Sequence, residues 1–158
     1  MNIIKPELNS HEDVWGDYAD AACLHLKQKL SLFLQEQFDL TKSKVNRYLH
    51  IGLGSTIKAD NPMYQYDLYF RLFPNLEVGW PRETLVIARI CFEEQRQGHG
   101  RNLLNWLVQL APEIGYKYIA IEAANEKSSA FGKRFGFELA NGKAGWLGSI
   151  ENIEQALC

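Results

Sequence analysis

The segment from residue 84 to residue 124 constrains the fold of this chain most strongly. It begins with Thr84–Phe92, a run of apolar and β-branched residues that predicts a strand covered on both faces. A loop with two glycines follows, and then a helix with its leucines on one face, ended by Pro112 and Gly115. The apolar run Tyr118–Ala124 predicts a second strand. This order predicts a strand–helix–strand crossover within one sheet.

The other segments predict a first helix, hairpin strands and a second short helix. Ser10 and Asp13 resemble a capping box, and an apolar face from Trp15 to Phe38 predicts a long helix. Alternating apolar and polar residues from Tyr64 to Leu72 predict a strand with one buried face. Further predicted elements are an edge strand at Ile3 and Ile4, a strand over Val45–Ile51, connections over residues 52–63 and 74–83, a helix from Glu126 to Phe135 stopped by Gly136, and two strands around Asn141-Gly142.

Length and charge limit the class of protein. A chain of 158 residues fits one domain, residues 1–158, with a single core. A formal net charge of −2 gives no overall field that would attract nucleic acid or an anionic membrane, so neither is expected as a partner. No apolar run approaches the ~20 residues that span a bilayer, and the first residues lack the apolar core of a signal peptide. We therefore expect a cytoplasmic protein.

The cysteines indicate a reducing compartment. Cys23, Cys91 and Cys158 form an odd, sparse set without CxxC spacing, which argues against a disulfide framework and a zinc site. Cys23 and Cys91 stand among apolar residues and are expected in the core. No constellation of metal ligands is present in the sequence, so no metal is expected.

The loop Gln95–Gly100 has the composition of an anion-binding loop. Between a strand and a helix, consecutive backbone N–H groups can converge at the positive end of the helix dipole. Gly98 and Gly100 remove the Cβ atoms that would keep a phosphate at a distance. Arg96 and Arg101 could add charge-assisted hydrogen bonds. Pyrophosphate is a natural ligand for such a loop.

The glycines also fit, in part, three other kinds of motif. A P-loop needs a lysine after its last glycine, whereas Arg101 follows Gly100, which excludes that motif. A dinucleotide fingerprint needs a third glycine where Leu103 stands, although Glu122 lies at about the ribose-binding separation. The glycines could also form only a turn and a helix start. The last two interpretations remain open from the residues alone.

Two blocks resemble the GCN5-related N-acetyltransferase (GNAT) superfamily. Gln95-Arg96-Gln97-Gly98-His99-Gly100 resembles its Gln/Arg-x-x-Gly-x-Gly/Ala pyrophosphate loop. Residues 125–137, NEKSSAFGKRFGF, resemble its Asn-x-x-Ala-x-x-Phe/Leu-Tyr-x-x-x-Gly-Phe block. Together the blocks cover about residues 84–138. The resemblance implies a mixed α+β, GNAT-like fold with a mostly antiparallel central sheet, a splayed parallel strand pair and about four flanking helices.

The resemblance also implies a cofactor, acetyl-CoA or a longer acyl-CoA, and a place for it. The pantetheine arm would pair with the splayed strand, the pyrophosphate would bind the loop amides, and the adenosine 3′-phosphate would lie near the second block. The implied cofactor-binding residues are Ile90, Cys91, Phe92, Gln95, Arg96, Gln97, Gly98, His99, Gly100, Arg101, Asn125, Ser128, Phe131, Lys133 and Arg134. Lys133 and Arg134 also fit a solvated helix face. The His99 side chain is expected to face solvent.

The implied activity is acyl transfer from acyl-CoA to an amine by direct attack in a ternary complex. The acceptor would be a small molecule, a protein N-terminus or a lysine. One departure matters, because Gly132 stands where the family usually places the tyrosine that protonates the leaving thiolate. The alternative is a CoA-binding or protein-interaction module of the same fold with weak or no catalysis.

Direct attack needs a base for the amine proton and donors for the oxyanion. Backbone N–H groups near Cys91 or Phe92 could supply the donors. The candidate catalytic residues are Glu122 as first base, Glu83 as second base, and Tyr69. Each carboxylate could instead be an ion-paired or solvent-facing strand residue. Tyr64 and Tyr66 are expected in the core. Arg89, a charge within an apolar strand, needs a partner such as Asp67 or an anionic ligand. The aromatic stretch 64–80 could line an acyl pocket, a peptide site or a homodimer surface.

Overall fold

The computed structural model describes residues 3–122, 125–140 and 145–158. Within them the helices are α1 (Glu12–Gln37), α2 (His99–Ile114), α3 (Glu126–Arg134) and α4 (Ile150–Leu157). The strands are β1 (Val45–His50), β2 (Gly54–Asp60), β3 (Tyr66–Leu72), β4 (Thr84–Phe92), β5 (Tyr118–Ile121), β6 (Glu138–Leu139) and β7 (Trp146–Ser149). The strands form one sheet in the order β1-β2-β3-β4-β5-β7-β6, in which β4 and β5 are the parallel pair and the other neighbours are antiparallel. The predicted fold class is confirmed.

α1 forms where its apolar periodicity predicts a helix. Its buried side chains are Trp15, Tyr18, Ala19, Ala22, Cys23, Leu26, Leu30 and Leu34. The N-cap is His11 and not Ser10, because the imidazole Nδ1 accepts a hydrogen bond from the Asp13 N–H at 3.1 Å. Burial raises the pKa of the Cys23 thiol to about 12, as expected for a cysteine that packs in a core.

β2 and the start of β3 differ from the sequence prediction. Residues 54–60 form a strand between β1 and β3, whereas the sequence predicted a connection there. β2 has short polar residues that become buried, such as Ser55 and Thr56, so its sequence lacks a clear alternation. Tyr64 is 80% exposed and lies before β3 with φ of 55°, so its predicted core position is wrong, whereas Tyr66 is buried.

The helices α1, α2 and α4 pack against the same side of the sheet. Leu68 and Phe70 of β3 belong to the core on that side, together with residues of α1 and α2. Asp67, Tyr69 and Arg71 alternate with them and are only partly buried on the opposite side. We call this opposite side, over β1 to β4, the open face.

Several other local predictions need correction. Ile3 and Ile4 form no strand, and Ile4 is 83% exposed. Pro112 lies inside α2 and does not end it. The helix runs on to its C-cap Gly115, which is left-handed (φ 106°) and whose backbone N–H donates to the Ala111 carbonyl. Cys91 is exposed, contrary to the predicted core position. The segments 123–124 and 141–144, which hold the end of the predicted strand and the predicted turn, lie outside the described residues.

Candidate active site

β4 changes its environment halfway along its length. Thr84 to Ile87 pair with β5 on one side and are buried. The pairing with β5 ends where the Glu122 N–H donates to the Ile87 carbonyl at 3.1 Å. On the other side Tyr69 pairs with Arg89 and Phe70 with Ile87, so Ala88 is an extra residue and forms a β-bulge. From Ala88 onward β4 pairs only with β3 among the described residues, and its other edge is open.

The direction of the backbone groups at this open edge follows from one hydrogen bond. The Glu93 N–H donates to the Gln65 carbonyl at 3.0 Å, so it points toward the β3 side. Since N–H directions alternate along an extended strand, the Cys91 N–H points toward β3 as well. The N–H groups of Ile90 and Phe92 therefore point to the open edge, where a ligand could pair with them.

The loop after β4 is exposed and has an unusual backbone. Arg96 (φ 61°) and Gly98 (φ 78°) are left-handed, and Gly98 is the N-cap of α2 without a side-chain cap. A Cβ atom on Gly98 would meet nothing within 4 Å. In the described part of the chain, no group accepts a hydrogen bond from the amides of residues 96–101. These amides are therefore available to an anion.

Gly100 has a packing role that its place in the motif does not reveal. A Cβ atom there would lie 2.9 Å from Cε2 of Phe131, so the glycine lets α3 approach the first turn of α2. Phe131 also stacks edge-on against Phe135, with ring centroids 4.9 Å apart. The two blocks of the sequence pattern thus meet in space through Gly100 and Phe131.

The charged and polar side chains of the loop diverge. Arg96 is exposed, and no described residue pairs with its guanidinium. Arg101 donates to the Leu157 carbonyl and lies 5.9 Å from the Phe135 ring centroid, so it is directed toward α4. Gln95 donates to the Phe92 carbonyl at 3.3 Å.

The predicted solvent-facing position of His99 is wrong. Its ring is half-buried, with centroids 4.8 Å from Phe38 and 5.4 Å from Phe92. Its Nδ1 lies 2.9 Å from Nε2 of Gln37. The His99 side chain therefore anchors the start of α2 to the end of α1, and only its backbone N–H belongs to the loop surface.

α3 begins with a reciprocal capping box. Asn125 Oδ1 accepts from the Ser128 N–H at 3.0 Å, and Ser128 Oγ accepts from the Asn125 N–H at 2.9 Å. Lys133 lies over Trp146 at 5.7 Å and Arg134 over Phe135 at 5.1 Å, both exposed. An open cleft of about 680 Å³ lies against this helix, lined by Asn125, Glu126, Ser129, Ala130 and Lys133.

Trp146 explains why the chain has glycine at 132. A Cβ atom at Gly132 would lie 3.2 Å from Cγ of Trp146 and 3.5 Å from Cβ of Phe137. The indole is held in that position by a hydrogen bond from its Nε1 to Ser129 Oγ at 3.1 Å. The space next to residue 132 is therefore taken by an indole, which is not a proton donor of the phenol type.

Glu122 lies beside the β-bulge, immediately after β5. Its Oε2 accepts from Nη1 of Arg71 at 2.5 Å and its Oε1 accepts from Nε1 of Trp80 at 2.9 Å. Both oxygens are engaged, although the side chain stays 29% exposed. Sequence reasoning missed Arg71 and Trp80, and the available signal for Arg71 was its place on the polar side of β3.

The other two catalytic candidates lie in different places. Glu83 precedes β4 and forms an ion pair with Lys5. At about 3.3 Å per residue along β4, Glu83 is roughly 16 Å from Ala88, where the open edge begins, and about 30 Å from Phe92, where it ends, so the structure does not bring Glu83 to the loop. Tyr69 lies on the open face opposite Arg89, with Lys58 at 4.7 Å and Arg71 at 4.8 Å from its ring centroid.

Arg89 has the predicted partner. Its Nη1 donates to Asp67 Oδ2 at 2.8 Å, and this hydrogen bond raises the pKa of Arg89. Arg89 is exposed, with 64% of its side chain accessible, so this charge needs no buried ligand.

Two larger features are absent from the residues that the structure describes. No helix in residues 3–122, 125–140 and 145–158 combines the length and apolar character needed to cross a bilayer. The same part of the chain contains no group of three or more His, Cys, Asp or Glu residues arranged to hold a metal ion.

Comparison with known families agrees with this geometry. A family described as the acetyltransferase (GNAT) family matches residues 70–137, which include the open edge, the loop and α3. This segment is similar to the GNAT acetyltransferase family and makes up less than half of the chain. α1, β1 and β2 lie outside it. A comparison with curated proteins finds no match.

Solved structures are similar to this chain at low identity. The archaeal Methanocaldococcus infernus Elp3 with an N-terminal deletion has a TM-score of 0.52 and 13% identity, over 68% of this chain and 29% of that one. Tetrahymena GCN5 has a TM-score of 0.42 and 13% identity, over 61% and 68%. AtaTR bound with AcCoA has a TM-score of 0.40 and 19% identity, over 86% and 84%. The chain spans less than a third of the length of the Elp3 structure, and that likeness supports the fold alone.

Proposed function

We propose that this chain binds acetyl-CoA or a longer acyl-CoA and transfers the acyl group to an amine. The observation that carries the proposal is the combination of an open β4 edge with a continuous set of unpaired amides over residues 96–101. An extended amide-containing arm and a pyrophosphate need these two features side by side. Since the family match covers both, the same ligand is proposed to bind both.

The proposed binding mode follows the exposed backbone. The pantetheine arm runs along the open edge and pairs with the Phe92 N–H, its thioester end reaches the Ile90 N–H, and Cys91 contributes through contact only. The pyrophosphate binds the amides from Arg96 to Arg101, where Gly98 leaves room for it.

Further cofactor contacts are proposed for the second block. Asn125 and Ser128 lie at the N-terminus of α3, and Asn125 lines the open cleft. Phe131, Lys133 and Arg134 are proposed near the adenosine 3′-phosphate, because the two cations are exposed and pair with no carboxylate among the described residues. A negatively charged phosphate would add charge-assisted hydrogen bonds to them.

The proposed chemistry is direct attack in a ternary complex. The amine nitrogen forms a bond with the thioester carbonyl carbon, the carbon–sulfur bond breaks, and the thiolate of CoA leaves. The Ile90 N–H is proposed to stabilise the oxyanion, because of the two N–H groups that point to the open edge it lies nearer the bulge and Glu122. Glu122 is proposed to take the amine proton, because it lies beside the bulge at that edge. Tyr69 is proposed to line the part of the open face where the acceptor amine binds.

The leaving thiolate must take a proton from a group other than residue 132, and water is the source proposed here. General acid help is worth about 10²–10⁴-fold, so its absence slows the reaction without abolishing it. Positioning of the two reactants remains available and is a large contribution.

A second proposal is a CoA-binding module with weak or no catalysis. It is favoured by two observations at the site, since Trp146 packs against Gly132 and both oxygens of Glu122 accept hydrogen bonds. Turnover distinguishes this module from the enzyme.

Gly98→Glu tests CoA binding. The carboxylate would enter the proposed pyrophosphate position, so we expect loss of acetyl-CoA binding measured by calorimetry and by thermal shift. The wild-type chain at a ligand concentration of about 100 Kd should gain about 2.7 kcal/mol of stability. Gly52→Glu is the matched control, because Gly52 has φ of 80° and open space around it, as Gly98 does, but lies in the β1–β2 turn. Equal acetyl-CoA affinity in both variants would refute the loop assignment.

A thiol-release assay with acetyl-CoA and a panel of amines tests the activity. Amine-dependent release of CoA, with the acylated amine identified by mass spectrometry, supports the enzyme. Binding of acetyl-CoA without release for any amine supports the module.

A further inference from the structure

The open face carries a row of side chains that leads to the open edge of β4. Lys58 of β2 lies directly opposite Tyr69 of β3, and Tyr69 lies directly opposite Arg89 of β4. Neighbouring strands are about 4.8 Å apart, so the Lys58 Cα is about 10 Å from the Arg89 Cα. Arg89 is the first residue after the bulge, where β4 has left β5. The row therefore joins Lys58 to the proposed site of acyl transfer.

Lys58 is positioned on this face by two aromatic rings. Its ammonium lies 4.7 Å from the ring centroid of Tyr69 and 5.9 Å from that of Tyr48. Contacts of this kind orient the cation but do not neutralise its charge. Among the described residues, no carboxylate pairs with Lys58, and no acceptor binds the hydroxyl groups of the two tyrosines.

The neighbouring cations differ from Lys58 in this respect. Arg71 is paired with Glu122, and Arg89 is paired with Asp67. Asp60, the next residue of β2 on this face, forms no ion pair with Lys58; burial first, and then the charge of Asp60, raises the pKa of Tyr66. Lys58 with the two tyrosine hydroxyls is therefore a set of hydrogen-bond donors still lacking an anionic partner in the described structure.

We propose that Lys58, with Tyr48 and Tyr69, binds an anionic group of the acyl acceptor. The acceptor is then an amine that carries a carboxylate or a phosphate, separated from the amine by up to about 10 Å, the span of two strand spacings. This inference rests on the proposed acyltransferase function and specifies the substrate class of the same site. Lys58 is a specificity-determining residue here and takes no part in the proton transfers.

The experiment compares matched amines with and without the anion. Aminohexanoate is compared with hexylamine, and phosphoethanolamine with ethanolamine, so that the carboxylate and phosphate sources are separated. In the wild-type chain we expect kcat/KM for at least one anionic amine to exceed that of its neutral partner by about five- to tenfold, and the ratio to fall at high salt. Lys58→Gln should reduce this ratio to about one by raising the KM for the anionic amine. Lys58→Arg should retain most of the ratio. Lys42→Gln, at an exposed lysine in the loop before β1, controls for the loss of one positive charge.

Two results would overturn the proposal. One is acylation of neutral and anionic amines with equal kcat/KM in the wild-type chain, which would leave the acyltransferase function intact. The other is an unchanged ratio in Lys58→Gln.

If no amine is acylated, the NMR signals of the Tyr48 and Tyr69 rings give a direct measurement of anion binding. Shifts on adding aminohexanoate or phosphoethanolamine that are lost in Lys58→Gln support the anion site, and their absence refutes it, whether or not acetyl-CoA binds.

Discussion

The two halves of β4 have the same kind of sequence but opposite surroundings. Thr84 to Ile87 pair with β5 and are buried, whereas Arg89 to Phe92 pair, among the residues that the structure describes, only with β3 and include the exposed residues Arg89 and Cys91. The first half contributes to the core, and the second half has backbone N–H groups at an open edge. The change occurs at the Ala88 bulge, within a run that is apolar in sequence apart from Thr84 and Arg89. A strand can thus supply both stability and a binding edge when one neighbour ends early.

The largest expected effect is on activity, at the second half of β4. Glu122→Gln removes the proposed base beside the bulge but retains an amide oxygen that can accept from Trp80. We expect thiol release to fall by about a hundredfold or more at saturating amine. Stability should fall by no more than about 1 kcal/mol, because the Arg71 pair is partly exposed.

A second readout separates the base from a simple ion pair. If Glu122 is the base, the acidic limb of the pH profile of kcat disappears in the variant, while the affinity for acetyl-CoA is retained. Unchanged turnover in Glu122→Gln would show that the carboxylate serves only to hold Arg71.

The next largest effect is on stability, at the first half of β4. Ile87 is 1% exposed and Ile90 is half-buried, so the same substitution compares the two halves of one strand. Ile87→Ala should lower the free energy of unfolding by about 2–5 kcal/mol. Ile90→Ala should cost less than half as much, measured by urea denaturation. Equal losses would mean that the second half is as well packed as the first.

Gly132→Tyr should destabilise the protein by about 1–3 kcal/mol, because the new side chain must displace Trp146. Gly132→Ala is the control, in which the gain in helix propensity offsets a Cβ contact of 3.2 Å with the indole. Thermal unfolding of both variants measures the difference. A fully stable Gly132→Tyr variant with faster thiol release would mean that the site can still accept the missing acid.

The smallest effect concerns thiol accessibility and leaves stability unchanged. In a Cys158→Ser background, Cys91 should react rapidly with a disulfide reagent near neutral pH, because its side chain is exposed. Cys23 should react only on unfolding, because it is buried and its pKa is raised to about 12. Saturating acetyl-CoA should slow the Cys91 reaction. A rapid reaction of Cys23 would contradict the packing of α1.

Segments with strong local patterns were predictable. β4, α2 and α3 were found near their predicted bounds, since their apolar periodicity and their glycine ends are read from neighbouring residues. β2 was missed because its buried residues are small or polar and owe their burial to strands on both sides. Pro112 wrongly predicts a helix end, since proline usually breaks a helix. In the structure it lies within the last turn of α2, and the helix ends only at Gly115.

At the candidate site, the sequence alone indicated an anion-binding loop and its partner block, because spacing and glycine content are properties of the chain. Only the tertiary structure decided where β4 parts from β5, that Trp146 packs against Gly132, and that Glu122 pairs with Arg71. Those three features depend on contacts between residues far apart in the chain. Their energies come from packing and hydrogen bonding across the fold, which no local pattern encodes.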